Sequence, residues 1–205
     1  NTPQDGCFGE NAVVDTKIID IQAIPIISGK TTDTHCQEQI NDNYQINDIV
    51  VQNTNTFSWQ VISGNGTLNQ NNVLDPIYTP VLSDYQNGSV TLRLTAEGIG
   101  ECSTDPTHDI VIDLYALPSI SLDTEMDNCQ DPSNPQDINI SATVENQTLI
   151  RWTSNGTGNF GGFAFSNNED PVYNPSAQDI DNGSVILSVE VTGYAVCGDP
   201  HIIND

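Results

Sequence analysis

Five cysteines, three histidines and 28 acidic side chains are the residues of this 205-residue chain from which chemistry could be built. Thiols can ligate metals, act as nucleophiles or pair as disulfides. No two cysteines stand in a C-x-x-C spacing, the usual mark of a thiolate metal site, so pairing is the expected use. Their positions also carry a second message. Cys7, Cys102 and Cys197 follow one another at steps of 95, and Cys36 and Cys129 are 93 apart. Equal steps of this kind indicate an internal repeat. His108 and His201 obey it, 93 apart, while His35 adjoins Cys36. No Ser-His-Asp arrangement is visible around them, and no catalytic set recurs in both copies. The chain is not expected to be an enzyme.

Carboxylates are the remaining candidates. Asp127 and Asp131, running on to Asp137, and the loop carrying Asp179 and Asp181 offer oxygen ligands of the kind a hard cation such as calcium requires. The second loop begins like an EF-hand but lacks its ligand spacing and closing Glu. Asp84 and Asp179 also precede Asn-Gly turns, where a carboxylate serves equally to hold a chain corner. Calcium is therefore the one cofactor left open, and no other is expected.

Charge narrows the partners. Four Lys and Arg against 28 Asp and Glu give a net charge of −24, and the four cations, Lys17, Lys30, Arg93 and Arg151, are scattered. Nucleic acid is excluded as a partner, because phosphate binding needs clustered basic residues. No apolar run approaches the roughly 20 residues of a membrane span, so no direct membrane insertion is expected. A basic–apolar leader is not present either, so an export signal is expected to have been removed or to lie outside this chain.

The elements that position these residues follow from the repeat. Trp59 lies over Trp152, Asp75-Pro-Ile-Tyr-Thr-Pro80 over Asp170-Pro-Val-Tyr-Asn-Pro175, and Asn87-Gly-Ser-Val90 over Asn182-Gly-Ser-Val185. Apolar residues alternate with polar ones in Val90, Leu92, Leu94 and Ala96, and again in Val185, Leu187, Val189 and Val191, the period of half-buried strands. Turn signals punctuate the runs and no stretch has a helical period. Seven or so short strands per copy, with Trp on the third, predict an all-β fold of tandem immunoglobulin-like sandwiches, about 95 residues per repeat. Residues 1–25 then read as the F–G loop and G strand of a preceding repeat. Residues 26–118 read as a complete domain, and 119–205 as a second domain lacking most of its last strand. That frame fits either a window on a longer array or a filament subunit completed by strand exchange.

The string Trp152-Thr-Ser-Asn-Gly-Thr-Gly-Asn-Phe160, followed by 170–185, resembles the immunoglobulin-like (PKD-like) repeats of giant Bacteroidota cell-surface adhesins. These include gliding-motility adhesins of the SprB type and related cargo of type IX secretion. The first copy carries the same pattern in looser form. The resemblance implies an extracellular, cell-surface, non-enzymatic module in an adhesive or filamentous protein. Its expected partners are neighbouring repeats of the same chain or filament, with surface polysaccharide a further candidate. A carbohydrate-binding accessory module of a secreted enzyme is the alternative from another class.

Two disulfide schemes are open in that setting. One bond per copy gives Cys36–Cys102 and Cys129–Cys197. The strand assignment favours an interdomain Cys36–Cys197 bond instead. It puts Cys36 and Cys102 at opposite ends of one sandwich, too far apart for bridged Cα atoms about 5.5 Å from each other, and head-to-tail stacking brings the A–B end of one domain to the F–G end of the next. Trp59 and Trp152 are expected in the cores. The loop 154–168, with Phe160, Phe163 and Phe165, is the candidate contact surface.

Overall fold

The computed structural model describes residues 15–122, 126–197 and 202–204. The first copy contains β1 (Ile26–Gly29), β2 (Thr32–Cys36), β3 (Tyr44–Gln45), β4 (Ile49–Gln52), β5 (Phe57–Ser63), β6 (Thr67–Leu68), β7 (Ile77–Thr79), a single helical turn α1 (Leu82–Asn87), β8 (Ser89–Ala96) and β9 (Thr107–Tyr115). The second contains β10 (Ser119–Leu122), β11 (Ile138–Asn139), β12 (Ala142–Glu145), β13 (Leu149–Ser154), β14 (Phe165–Ser166), β15 (Val172–Tyr173), α2 (Ala177–Asn182), β16 (Leu187–Thr192), a 3-10 turn at Ala195–Cys197 and β17 (Ile202–Asn204).

Each copy is a two-sheet sandwich. In the first, a four-stranded sheet runs β2-β9-β8-β5, antiparallel except for the parallel β2–β9 pair. The opposing layer is made of β1-β4 and β3-β7-β6. The second repeats this with β14-β13-β16-β17 against β10-β12 and β11-β15. The period-2 pattern decides which faces are buried: Val90, Leu92, Leu94 and Ala96 are all sealed from solvent, while Arg93 points outward and holds Asp109 on β9 through two hydrogen bonds of 2.6 and 2.7 Å. Two hydrophobic cores result, one around Trp59, Tyr78 and Ile112, the other around Trp152, Tyr173 and Val191, with no residue in common.

Three features depart from the sequence pattern. The apolar stretch Tyr44–Gln52 is divided into β3 and β4, with Asp48 between them at a positive φ of 60°. The E–F corners are helical turns, α1 and α2, too short at six residues each to leave a period in the sequence. Residues 15–25, part of the 1–25 segment read as the end of a preceding repeat, contain no strand. Cys7, His201 and the rest of 1–14 lie outside the described residues.

Candidate functional site: the junction between the sandwiches

The two corners come first, because they fix where each last strand begins. Asp84 is fully buried. One of its oxygens accepts from the Asn65 amide at 2.6 Å, and the other accepts from Gly66 N (2.9 Å), the Tyr78 hydroxyl (2.8 Å) and Val81 N (3.1 Å). Asp179 does the same in the second copy, accepting from Thr157 N, Gly158 N, the Tyr173 hydroxyl and Ser176 N at 2.8 to 3.0 Å. Burial by itself raises a carboxyl's pKa, but here the converging donors outweigh it and hold both groups below the usual carboxylate range. The paired Tyr78 and Tyr173 hydroxyls are pushed upward by burial and by these carboxylates. Glycine is required beside them: a Cβ at Gly158 would stand 2.4 Å from the Tyr173 oxygen. The corner is thus a structural lock whose acceptors face protein donors.

The other carboxylates are not gathered. Asp127 and Asp179 line the same groove in the second copy. Asp181 is exposed on α2, and exposed Asp131 caps its own turn through Ser133 N at 2.8 Å. Among the described residues no three His, Cys, Asp or Glu side chains converge as a metal would require. In the candidate contact loop the aromatics divide. Phe160 is buried against Tyr173, with ring centroids 5.2 Å apart, so it belongs to the core and is not available for contact. Phe163 is 70% exposed at the Gly161-Gly162 turn, and Phe165 lies on β14 under the Arg151 guanidinium. Trp59 and Trp152 are both buried.

What the fold does bring together lies between the copies. Cys36, at the end of β2, is bonded to Cys197, with Cα atoms 5.6 Å apart and a sequence separation of 161. Cys102 and Cys129 are free thiols, so neither one-bond-per-copy pair is formed. Tyr115, the last residue of β9, packs on Tyr194 at 5.1 Å between centroids. The linker is pinned at three points. Gln37 N donates to the Tyr115 carbonyl (2.9 Å), Leu117 N to the Gln37 side chain (3.0 Å), and the Asn146 side-chain amide to the Leu117 carbonyl (3.1 Å). Beside it the Tyr85 hydroxyl donates to Asp42, which also meets His35 Nε2 at 2.8 Å. Burial and that carboxylate raise the Tyr85 hydroxyl's pKa.

The asparagine clamp recurs. Asn53 donates to the Ile24 carbonyl at 2.9 Å, and Asn53 and Asn146 both adopt positive φ, 64° and 59°. Asn is among the few non-glycine residues that tolerate this conformation. Cys102 Sγ donates to the Gln22 carbonyl at 3.3 Å; in the other junction Tyr115, the repeat counterpart of Gln22, is the strand partner of Cys36, which is bonded to Cys197. Segment 22–24 is therefore held on the first sandwich much as the linker 115–117 is held on the second. Sequence reasoning did not single out Asn53, Asn146, Tyr115 or Tyr194. The asparagines could have been found, since they stand at the same step of 93 that relates the tryptophans.

Comparison with known proteins agrees with this architecture. No protein-family model and no curated protein matches the chain. Among solved structures, it is similar to extracellular cadherin domains 3–6 of protocadherin gamma B2 (TM-score 0.52, 11% identity, 88% of this chain and 45% of that one). It is equally similar to domains 1–4 of protocadherin gamma B7 (0.52, 13%, 89% and 48%). A titin tandem, A168–169, is aligned over 89% of the chain at a TM-score of 0.40. The chain spans just under half the length of the protocadherin structures. The class is defined at the level of fold: tandem immunoglobulin-like β-sandwiches.

Proposed function

We propose that this chain is a structural and adhesive repeat module of a long extracellular surface protein, working through mechanical reach and contact between neighbouring repeats. The observation that carries this reading is the covalent staple across the junction. Cys36 and Cys197 enclose both hydrophobic cores. Tension applied at the two ends of the chain enters at Cys36 and leaves at Cys197 without loading the strands between. The extracellular cadherin domains similar in fold support a module that acts in series, and disulfides belong to oxidising compartments. The sequence resemblance extends the reading to a bacterial cell surface, with gliding motility and type IX export as the setting and surface polysaccharide as a candidate ligand. A net charge of −24 keeps such fibres soluble and apart.

Single-molecule pulling tests it. The oxidised chain yields no length from residues 37–196. With reductant, or in Cys36→Ser, the same pull releases roughly 550 Å of contour at about 3.5 Å per residue. Long unfolding steps in the oxidised chain would show that the staple bears no load, and the reading would fail.

A further inference from the structure

The loop that follows β13 gives the second sandwich an outward face that the first one lacks. Gly66 and Gly158 both donate to the corner carboxylates, and Pro76 and Pro171 both follow the repeated Asp, so these residues mark equivalent points. Ten positions separate Gly66 from Pro76, whereas thirteen separate Gly158 from Pro171. The first copy fills its interval without an aromatic residue, and no strand borders β5 on that edge among the described residues. The longer loop of the second copy carries Phe163 and Phe165, and its residues 165–166 form β14 on the edge of β13.

Register decides where these side chains point. Trp152 on β13 is buried, so Arg151 and Thr153 face outward, and Phe165, opposite Thr153, shares their face. The Arg151 guanidinium lies 4.7 Å from the Phe165 ring centroid, a cation–π contact that leaves its edge donors free. Phe163 is set by the turn before it. Gly161 N donates to the Asn174 side chain at 2.7 Å and Gly162 N to the Asn159 side chain at 2.6 Å, while Phe160 and Phe163 exchange backbone hydrogen bonds of 2.8 and 3.2 Å. Both glycines take a positive φ, 60° and 92°, and a Cβ on either would meet nothing within 4 Å, so the space beside the turn is open. Phe163 is thus presented to solvent on a pinned turn, and a presented group loses little freedom when it is contacted. Adjoining exposed aromatics of this kind mark a contact surface.

Charge selects the occupant. Lys30 is paired with Asp33 and Arg93 with Asp109, but Arg151 has no ion-pair partner among the described residues, even though Glu190 is its cross-strand neighbour. A guanidinium with unclaimed donors therefore stands beside the phenyl rings, with a carboxylate acceptor opposite it on β16. An apolar protein or lipid surface would bury these polar groups without partners. A polyanion is opposed by the net charge of −24, and a polycation has no reason to choose the place that holds an unpaired Arg. A neutral sugar chain meets every condition: its rings have an apolar C–H face to lie on phenyl groups, and hydroxyls that accept from Arg151 and donate to Glu190. We infer that Phe163, Phe165 and Arg151 form a platform for a neutral polysaccharide. This rests on the repeat-module reading and names its ligand class. The platform belongs to the second sandwich alone, so contact with the ligand is the work of one repeat of the two.

The test is native affinity electrophoresis of the full chain through gels containing galactomannan, dextran or hydroxyethylcellulose, with alginate as the acidic polymer. At least one neutral polymer retards the chain. Phe163→Ala, Phe165→Ala and Arg151→Ala each weaken that retardation about tenfold or more. Leu82→Ala, which removes a 67% exposed apolar side chain from the first sandwich, leaves it unchanged. All four side chains lie at the surface, so the variants fold, as an unchanged circular dichroism spectrum verifies. Migration unaffected by every neutral polymer overturns the inference, as does retardation by alginate alone or a Leu82→Ala effect equal to that of Phe163→Ala. Co-sedimentation with phosphatidylcholine vesicles in place of polysaccharide binding, lost in the same three variants, would assign the face to lipid and overturn it too. The pulling experiment reads the Cys36–Cys197 staple and is unaffected by any of these results, so the repeat-module reading stands or falls separately.

Discussion

The two sandwiches share a corner and differ at an edge. Asp84 and Asp179 make the same set of hydrogen bonds to the same kinds of partner, each before an Asn-Gly turn whose glycine takes a left-handed φ of about 80°. By contrast β8 is paired with β9 from Ser89 to Thr95, and among the described residues β16 is paired on that side only at Glu190, Val191 and Thr192. The corner is reproduced because all its parts lie within about two dozen residues. The edges differ in reach: β9, the next strand after β8, runs along it from Ser89 to Thr95, whereas β17 meets only the Glu190–Thr192 end of β16. The corner chemistry is therefore common to the copies, and the cover over the last core strand is not.

The largest test of this contrast is at the corner. Asp84→Ala and Asp179→Ala each strip the shared acceptor from several buried donors, and each is expected to cost about 3–5 kcal/mol. If the corners are equivalent, the two losses agree; denaturant unfolding of the two variants measures them. The same carboxylates make stability acid-sensitive. Their folded pKa values lie below those of the unfolded chain, so the unfolded state binds protons that the folded state refuses. Their contribution is complete above the unfolded carboxyl value of about 4 and declines as pH falls through the folded values. Thermal unfolding from pH 6 down to pH 2 should show this decline, and the alanine variants should show less of it.

How much of this was legible in the sequence divides along the same line. The repeat, the buried tryptophans and the alternating strands were readable because each is a local pattern copied at a step of 93 or 95. The staple between Cys36 and Cys197 was reachable only after the ends of a sandwich had been assigned, since they lie 161 positions apart. The aromatic loop misled: Phe160, Phe163 and Phe165 look alike in sequence, but a Gly-Gly turn folds Phe160 back onto Tyr173 and leaves Phe163 outside. The Tyr115–Tyr194 contact had no signal, because Tyr194 falls on Ile99 in the other copy and Tyr115 on Gln22.

A second test compares the edges. Leu92 is sealed under β9, and Leu92→Ala is expected to cost about 2–5 kcal/mol. Leu187, its counterpart, is only partly buried, and Leu187→Ala should cost about 1 kcal/mol, because less surface leaves water there. Denaturant midpoints in dilute chain give both values.

The smallest difference concerns the two tryptophans, equal in burial but unequal in partners. Trp59 Nε1 donates to the Leu74 carbonyl at 3.3 Å, whereas Trp152 Nε1 has no acceptor among the described residues. Both replacements by Phe lose ring volume and leave similar space. Trp59→Phe also gives up a hydrogen bond worth about 0.5–1.5 kcal/mol, while Trp152→Phe removes a buried donor whose isolation costs about 1–3 kcal/mol. Trp152→Phe should therefore be the milder substitution by at least about 1 kcal/mol, as paired urea titrations would show. Equal losses would mean that the loop 154–168 offers the indole an acceptor after all. The aromatic turn around Phe160 would then be equivalent to the 69–76 segment that supplies Leu74, and the difference between the copies would be confined to the edge.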